Sequence, residues 1–237
     1  MIKYTKITDT ELTMKIIARI ICDYKEKFGI PRQSGIADAA IGRIVFEREY
    51  RNPDALRGIE GYSHLWLIWQ FSECVSEEFS PTVRPPRLGG NTRIGVFASR
   101  APYRPNPIGL SSVRLLGIEH SDTLGDVLLV AGADLMNGTP IYDIKPYLAY
   151  TDSHPDATGG FSDAVREYSL PVNVSEALLS MVEPDKRETL ISILRHDPRP
   201  SYKNDGEREY GFLFADYEVF FKVCDGTLTV TKILNAK

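Results

Sequence analysis

The chain has 237 residues, of which 43% are hydrophobic and 25% charged, and its formal net charge is −4. This is the composition of an ordinary globular protein, and the length suits one large domain or a principal domain with a small addition. No apolar run approaches the roughly 18 residues of a membrane helix, and residues 1–15 lack the layout of a signal peptide. Cys22, Cys74 and Cys224 are far apart, so we expect reduced thiols, no metal site and a cytoplasmic protein.

Short β-branched and aromatic segments, separated by glycine and proline, predict most of the first 150 residues to be strands. The expected strands are 14–22, 42–48, 64–71, 93–99, 111–119, 126–133 and 139–144. Asn52-Pro53-Asp54 is a helix-start signal for a turn or two. Residues 64–71 are nearly all apolar, which predicts a strand buried on both faces with Trp66 and Trp69 in the core. This pattern is typical of an all-β barrel or sandwich.

The remaining residues predict a linker and a small second domain. Residues 151–171 are small and polar, and we expect them to connect a principal domain (1–150) to a small α+β domain (172–237). Apolar residues at helical spacing predict one helix capped by Ser175 and a second that begins at Pro184 and ends at 196–198. Asp225-Gly226 predicts a hairpin between strands 212–223 and 227–234.

The most unusual stretch is residues 81–110, which we expect to form a loop, a short strand and a second loop. No acidic residue occurs between Glu78 and Glu119, whereas that interval holds Arg84, Arg87, Arg93, Arg100, Arg104 and Arg114. Its six prolines fix φ, and three of its glycines, Gly89, Gly90 and Gly109, permit unusual backbone conformations, which indicates stiff, shaped loops. Arginine's planar donor fork suits phosphate, carboxylate or a stacked base. A solubilising loop with ordinary surface pairs is the alternative.

Two segments of this stretch, VRPPRLGGN and RIGVFASRAPYRPNPIGLS, closely resemble the TrmO or TsaA-like (YaeB-like) family of tRNA threonylcarbamoyladenosine methyltransferases. The resemblance continues in YKEKFGIPRQSG (24–35), GIEGYSHLWLIWQF (58–71), DLMNGTPIYDIKPYL (134–148) and HDPRPSY (196–202). It implies that residues 1–150 form a single-sheet β-barrel domain that binds S-adenosyl-L-methionine, and that the chain forms a homodimer. The implied reaction is N6-methylation of threonylcarbamoyladenosine at position 37 of the tRNA anticodon loop.

The resemblance also implies a cofactor site. The matching residues are Pro31, Arg32, Gln33, Arg100, Leu110, Asp134, Leu135, Met136 and Asn137, with Gly138 and Thr139 behind them. Where relatives often have His-Gln after the tryptophan-containing strand, this chain has Ser72-Glu73, which we also assign to the cofactor site. Taken alone, Pro31-Arg32-Gln33 is an ordinary surface turn. The chain has no glycine-rich dinucleotide fingerprint and no Walker A loop, so a Rossmann-type site is not expected.

The implied substrate makes specific demands. Its nitrogen is urea-like and a poor nucleophile, so positioning and proton removal should matter most. Tyr142, Asp143 and Lys145 follow the proposed cofactor loop and are candidate catalytic residues, although Asp143 and Lys145 alone are typical of a surface pair. The threonyl carboxylate suits bidentate binding by arginine. The candidate substrate residues are Arg84, Arg87 and Arg104, with Tyr103 for base stacking.

His64 precedes the apolar third strand and is more typical of a hydrogen-bonded, partly buried histidine than of a catalyst. Two alternative functions stay open: a non-catalytic β-barrel that binds RNA, and a methyltransferase with another small acceptor. The residues assigned to a cofactor argue against the first, because a simple RNA-binding module needs no cofactor pocket.

Overall fold

The computed structural model describes residues 13–75, 78–85, 88, 92–165, 168–199 and 206–236. The predicted mainly β architecture is confirmed. The strands are β1 (Ala18–Ile21), β2 (Ile41–Phe46), β3 (His64–Gln70), β4 (Thr82–Val83), β5 (Ile94–Gly95), β6 (Ile108–Ser121), β7 (Gly125–Ala131), β8 (Pro140–Pro146), β9 (Val172–Asn173), β10 (Tyr210–Phe214), β11 (Tyr217–Cys224) and β12 (Thr227–Asn235). The α-helices are α1 (Ala149–Asp152), α2 (Glu176–Leu179) and α3 (Pro184–Arg195).

Six of these strands close into a barrel in the order β1-β2-β7-β6-β3-β8. Each pair is antiparallel, and the pairing of Ala18 with Ile141 joins β1 to β8 and completes the ring. Inward-facing side chains fill the barrel, including the fully buried Ile20, Ile44 and Leu128. Closure pairs each of these six strands with a neighbour on either side, so their outer faces are the surfaces available for binding.

Strand β3 differs from its prediction in burial. Leu65 and Leu67 are fully buried and Trp69 is 6% exposed, whereas the alternate residues are only half-buried. The prediction that both faces are buried is therefore wrong, and Trp66 lies on the outer face. The five central residues of β3 are all apolar, so only its end residues, His64 and Gln70, mark the outer face.

Residues 93–99 form less strand than predicted. Only Ile94 and Gly95 pair, with Val83 and Thr82 respectively. The chain then turns through a 3-10 helix at Val96–Ala98. The described part of residues 81–110 is mostly loop around a short strand, as expected, but it also contains a second short strand, β4, the 3-10 helix and the first residues of β6.

A second sheet, in the order β10-β11-β12-β9, carries the other hydrophobic core. The predicted cap at Ser175 is confirmed, since its side chain accepts a hydrogen bond from the Leu178 backbone N–H. The turn at Asp225-Gly226 is also confirmed, with φ of 48° and 75°. The predicted strand 212–223 is instead two strands, because a turn at Ala215, with φ of 50°, divides it.

Residues 22–40, which we call the shared segment, connect β1 to β2 and contact both units. Tyr24, Ala37 and Ala40 are buried in the core of the second sheet. On the barrel side, the Gly35 N–H donates to the Gly132 carbonyl at 2.9 Å. The second sheet therefore holds a loop that belongs, in sequence, to the barrel.

Polar contacts fix the same segment to the second unit. Lys186 Nζ lies 2.9 Å from the Asp23 carboxylate, and the Leu213 N–H donates to Glu26 Oε1 at 2.8 Å. Ser192 Oγ donates to the Ile36 carbonyl at 3.1 Å. These contacts satisfy backbone and charged groups of a segment whose residues, all of them described, form neither strand nor helix.

Within the described ranges, no helix is long and apolar enough to cross a membrane. The three cysteines are free thiols, as predicted.

Gly29→Ala tests the packing of the shared segment. Gly29 has a φ of 97°, and an added Cβ would lie 2.5 Å from Cδ2 of Phe212. Backbone strain and overpacking together should lower the free energy of unfolding by about 2–4 kcal/mol in urea titrations. Gly58→Ala is the matched control, because Gly58 has a φ of 86° and a Cβ added there would meet no described atom within 4 Å. Equal losses in the two variants would contradict the proposed packing.

Candidate functional site

A cleft of about 1070 Å³ lies between the outer face of the barrel and the shared segment. Register places Trp66 beside Ser112 and Ile68 beside Leu110 on the same outer face of β3 and β6. The lining residues are Lys27, Ile30, Pro31, Arg32, Gln33, Ser34, His64, Trp66, Trp69, Gln70, Phe71, Ser72, Glu73, Cys74, Ser99, Arg100, Pro102, Tyr103, Arg104, Ile108, Gly109, Leu110, Ser112, Asp134, Met136, Thr139, Tyr147 and Asp152. The cleft thus draws on five separate parts of the barrel unit, which the fold brings together.

The floor of the cleft contains a chain of hydrogen bonds that ends at Asp134. The indole Nε1–H of Trp69 donates to Ser111 Oγ at 2.9 Å, and that hydroxyl donates to Asp134 Oδ1 at 2.5 Å. Burial raises the pKa of the Asp134 carboxyl, while the Ser111 hydrogen bond and the charge of Arg100 oppose that rise. The carboxyl is therefore fixed in direction and attractive to a cationic group.

Gly109 is required here for space. A Cβ at this position would lie 2.2 Å from Cε2 of the Trp69 indole. The expectation that Gly109 serves an unusual backbone conformation is wrong, since it is absent from the residues with positive φ. The missing side chain lets the indole pack against β6 and reach Ser111.

Two hydrogen bonds join the shared segment to two other parts of the cleft lining. Arg100 Nη1 donates to Gln33 Oε1 at 2.6 Å, and Lys27 Nζ donates to the Glu73 carbonyl at 2.7 Å. The first ties the arginine-rich loop to the segment, and the second ties the 3-10 turn at Ser72–Cys74 to it. The shared segment therefore forms a frame along the cleft that is held at two points.

The HDPRPSY sequence supports this frame from the second unit. Asp197 and Arg199 form a buried ion pair at 2.8 Å, with side chains 8% exposed. The Arg199 carbonyl accepts a hydrogen bond from Arg32 Nη2 at 2.9 Å. A buried ion pair on the second unit thereby positions Arg32, an arginine of the cleft. Residues 200–202 of the HDPRPSY sequence lie outside the described residues.

Sequence reasoning missed one wall of the cleft, formed by Trp66, Tyr147 and Asp152. The Trp66 indole donates to Asp152 Oδ2 at 2.8 Å, and the rings of Trp66 and Tyr147 lie 5.3 Å apart. The Leu148 backbone N–H, followed by Trp66, lowers the pKa of the Asp152 carboxyl through hydrogen bonds. Asp152 belongs to α1, so the expected linker contains ordered structure at its start. Its polar sequence gave no signal of this role.

Most of the residues assigned to the cofactor lie together in the cleft. They are Pro31, Arg32, Gln33, Ser72, Glu73, Arg100, Leu110, Asp134, Met136 and Thr139. Leu135 is fully buried in the barrel core instead. The Asn137 side chain accepts a hydrogen bond from the Cys22 N–H at 3.0 Å and stabilises the start of the shared segment. Both residues support the loop that carries Asp134 and Met136.

Only some of the residues assigned to the substrate or to catalysis line the cleft. Tyr103 and Arg104 line the cleft, Arg84 is not among its lining residues, and Arg87 lies outside the described residues. The three candidate catalytic residues are likewise not part of the lining; they are Tyr142, Asp143 and Lys145. The last two form an ion pair at 2.8 Å, with side chains 43% and 61% exposed. The structure thus shows the surface pair, and a catalytic role for these residues stays a prediction.

Arg104 holds the backbone of its own loop. Its Nη1 donates to the carbonyls of Val96 at 3.1 Å and Ser99 at 2.8 Å.

Among the described residues, no group of three His, Cys, Asp or Glu side chains is placed to hold a metal ion. The charged groups that line the cleft include Lys27, Arg100 and Arg104 and the carboxyls of Asp134 and Asp152.

Comparison with known proteins identifies both units. The family described as the tRNA-methyltransferase O N-terminal domain matches residues 19–153, and the TrmO C-terminal domain matches residues 167–236. A tRNA (adenine(37)-N6)-methyltransferase of Escherichia coli K12 is 39% identical over 216 residues, which cover 87% of this chain and 91% of that protein. A putative S-adenosylmethionine-dependent methyltransferase of Pseudomonas aeruginosa is 41% identical over 204 residues, 83% of this chain and 86% of that one.

A solved structure agrees with these matches. The crystal structure of TrmO from Pseudomonas aeruginosa has a TM-score of 0.76 and 31% sequence identity, and the alignment covers 98% of this chain and 100% of that one. The likeness therefore extends over both the barrel and the second sheet.

Asp134→Asn tests the electrostatics of the cleft floor. The pKa of Asp134 is raised above its ordinary value of 3.8, so the folded state binds the proton more tightly than the unfolded chain does. The free energy of unfolding of the wild type should fall, relative to the variant, as pH rises from about 4 through the raised pKa.

Asp152→Asn is the control of opposite sign for urea unfolding measured across pH. The pKa of Asp152 is lowered, so its contribution to stability is present above 3.8 and is lost as pH falls. Parallel curves for the wild type and Asp134→Asn would refute the buried-carboxyl description.

Proposed function

The chain belongs to the TrmO family of tRNA methyltransferases, and from this membership and the cleft we propose that it transfers a methyl group from S-adenosyl-L-methionine to N6 of adenine 37 in tRNA. The observation that carries the proposal is the match to tRNA (adenine(37)-N6)-methyltransferases over most of both chains. The cleft supports it, because residues from distant parts of the sequence meet there in a chemically suitable set.

The residues of the cleft fit the proposed cofactor. Leu110, 57% exposed, and Ile108, 38% exposed, offer an apolar surface to a flat base. The fixed Asp134 carboxyl suits a positively charged group, and Arg100 with Gln33 suits a carboxylate. When bound, the cofactor supplies an electrophilic methyl group on a positively charged sulfur.

The chain itself contributes position and charge. Arg100 and Gln33 are held together by their own hydrogen bond, so the shared segment and the arginine-rich loop are fixed relative to each other before any ligand binds. Ser111 keeps the Asp134 carboxyl aimed into the cleft. Such preorganised groups contribute most where the reacting nitrogen is a poor nucleophile, since they hold the reactants in line.

We further propose that the target adenine carries the threonylcarbamoyl group and lies in the anticodon loop. The sequence resemblance supports this, and Arg104 at the cleft offers a donor set for the threonyl carboxylate. Tyr103, 58% exposed at the cleft, is suited to stack on an unpaired base. The alternatives are another small acceptor or RNA binding without catalysis.

The organisation of the chain is also a proposal. We propose a catalytic domain at 1–150, a linker at 151–171 and a small domain at 172–237, supported by family matches at 19–153 and 167–236. We also propose a homodimer in the cytoplasm. Exposed apolar side chains on the barrel support the dimer, namely Ile21 (48%), Ile41 (56%) and Leu116 (44%). Light scattering at working concentration tests the dimer, and a monomeric mass would remove it.

Nucleoside mass spectrometry tests the reaction. The protein is incubated with S-adenosyl-L-methionine and tRNA that carries threonylcarbamoyladenosine, and we expect that nucleoside to gain the mass of one methyl group. The same tRNA without the threonylcarbamoyl group is the matched substrate control, and it should stay unmodified. No methyl gain on either tRNA, with the cofactor nevertheless bound, would redirect the search to another acceptor.

Arg100→Ala should weaken cofactor binding about tenfold in calorimetric titration, because a charge-assisted hydrogen bond and a carboxylate partner are lost together. Arg57→Ala is the control, since Arg57 forms an exposed pair with Asp54 outside the cleft. An unaltered cofactor affinity in Arg100→Ala would invalidate the assignment of Arg100 to the cofactor site.

Arg104→Ala should instead weaken the use of tRNA and leave cofactor affinity unchanged.

A further inference from the structure

Two phenylalanine rings lie exposed at the edge of the cleft, beside Arg104. Phe79 is 57% exposed and Phe97 is 73% exposed. Their ring centroids lie 6.4 Å apart with planes inclined by 26°. The Arg104 guanidinium carbon lies 5.7 Å from the Phe97 ring centroid. We call these three side chains the aromatic shelf.

The shelf does not serve either hydrophobic core. Among the residues that the structure describes, neither phenylalanine is a member of the barrel cluster or of the cluster beneath the second sheet. Burial of a phenyl side chain stabilises a folded protein, so the isolated chain forgoes that stabilisation at two adjacent exposed rings. Adjacent, nearly parallel exposed rings are a feature of surfaces that bind a partner.

The backbone beneath the shelf is fixed. Val96, 1% exposed, anchors the 3-10 helix that carries Phe97, and its N–H donates to the Pro81 carbonyl at 3.0 Å. The pairing of Thr82 with Gly95 brings the two phenylalanine-bearing segments side by side. Arg104 closes this arrangement through its bonds to the Val96 and Ser99 carbonyls at the two ends of the 3-10 turn. The rings are thus presented on a preorganised support.

The Phe97 side of the shelf carries arginines and is continuous with the cleft, whereas Glu78 directly precedes Phe79. Arg104 belongs both to the shelf and to the cleft lining, beside Arg100 and Tyr103. Arg93 lies on the same small hairpin, where its Nη1 donates to Thr82 Oγ1 at 3.1 Å. No acidic residue occurs in the sequence between Glu78 and Glu119. A ligand for this surface combines a flat, apolar face with negative charge.

We propose that the aromatic shelf stacks a nucleobase adjacent to the methylated adenine, as a second RNA-binding subsite of the enzyme. The proposal rests on the proposed tRNA methyltransferase function. A nucleotide offers both required features, since its base stacks on phenyl or guanidinium groups and its phosphate pairs with arginine. An unpaired loop, in which bases are already splayed, is the RNA structure that such a shelf can engage.

The test measures how one flanking base and the shelf depend on each other. The substrates are anticodon stem-loops with threonylcarbamoyladenosine, either intact or with an abasic nucleotide on one side of the target. The variants are Phe97→Leu and Phe79→Leu, which keep an apolar side chain but remove the aromatic face. Phe220→Leu is the matched control. Like Phe97, the Phe220 ring has a cation over it, since Lys232 Nζ lies 5.5 Å from its centroid, but it belongs to the second sheet and not to the shelf.

We expect Phe97→Leu to raise the KM for the intact stem-loop roughly tenfold or more, with kcat and cofactor affinity little changed. With the wild-type enzyme, one of the two abasic substrates should show a similar rise in KM. Phe97→Leu should raise the KM for that substrate little further, because the base that stacks on Phe97 is already absent. Phe220→Leu should behave like the wild type with every substrate.

Unchanged KM values in both shelf variants, or fully additive losses with both abasic substrates, would overturn the proposal. A change in light-scattering mass in Phe97→Leu with unchanged RNA affinity would assign the shelf to a second protein copy instead. If the wild type methylates no RNA, the proposed function fails. Stem-loop affinity from fluorescence anisotropy then still decides the shelf, since equal affinities for the wild type and Phe97→Leu would refute it.

Discussion

The cleft depends on the anchoring of residues 22–40 by two hydrophobic cores at once. This segment, described along its whole length, has no strand or helix of its own, so its backbone groups need partners from elsewhere. The barrel supplies the Gly132 carbonyl to Gly35, and the second unit supplies the Ala215 N–H to the Asp23 carbonyl at 2.9 Å. Ordering a loop costs about 1–2 kcal/mol of backbone entropy per residue, and burial of Tyr24, Ala37 and Ala40 offsets that cost.

Because the segment is fixed at both ends, its middle can carry exposed polar side chains without losing position. Gln33 reaches Arg100 across the cleft, and Arg32 reaches the Arg199 carbonyl of the second unit. The second unit therefore acts on the cleft through the loop that it holds, although the barrel provides the floor. This gives a physical reason for the two units to occur in one chain.

Local sequence patterns were sufficient for much of the fold. The cap at Ser175, the helix from Pro184 and the turn at Asp225-Gly226 each depend on neighbours in sequence, and each was predicted. The outer face of β3 was missed because its five central residues are all apolar and only the end residues, His64 and Gln70, mark that face. The division of residues 212–223 at Ala215 was missed because the Ala215-Asp216 turn contains no glycine or proline, and Asp216 is its one turn-favouring residue.

The candidate site was predictable only where motifs name residues directly. The contributions of Trp66, Tyr147 and Asp152 arise from packing between β3 and α1, which are far apart in sequence. Leu135 and Asn137 were assigned through the resemblance, which identifies a loop as a whole; in the structure the Leu135 side chain lies in the core and the Asn137 side chain bonds to the Cys22 N–H. Spacing in a loop does not reveal which side chains turn inward.

The most direct test of this account is a crystal structure of the protein with bound S-adenosyl-L-methionine. The account predicts density for the cofactor in the cleft, between Pro31–Gln33 of the shared segment and the outer face of β3 and β6, with a charged group beside Asp134. Density for the cofactor elsewhere, with this cleft unchanged from the free protein, would contradict the account.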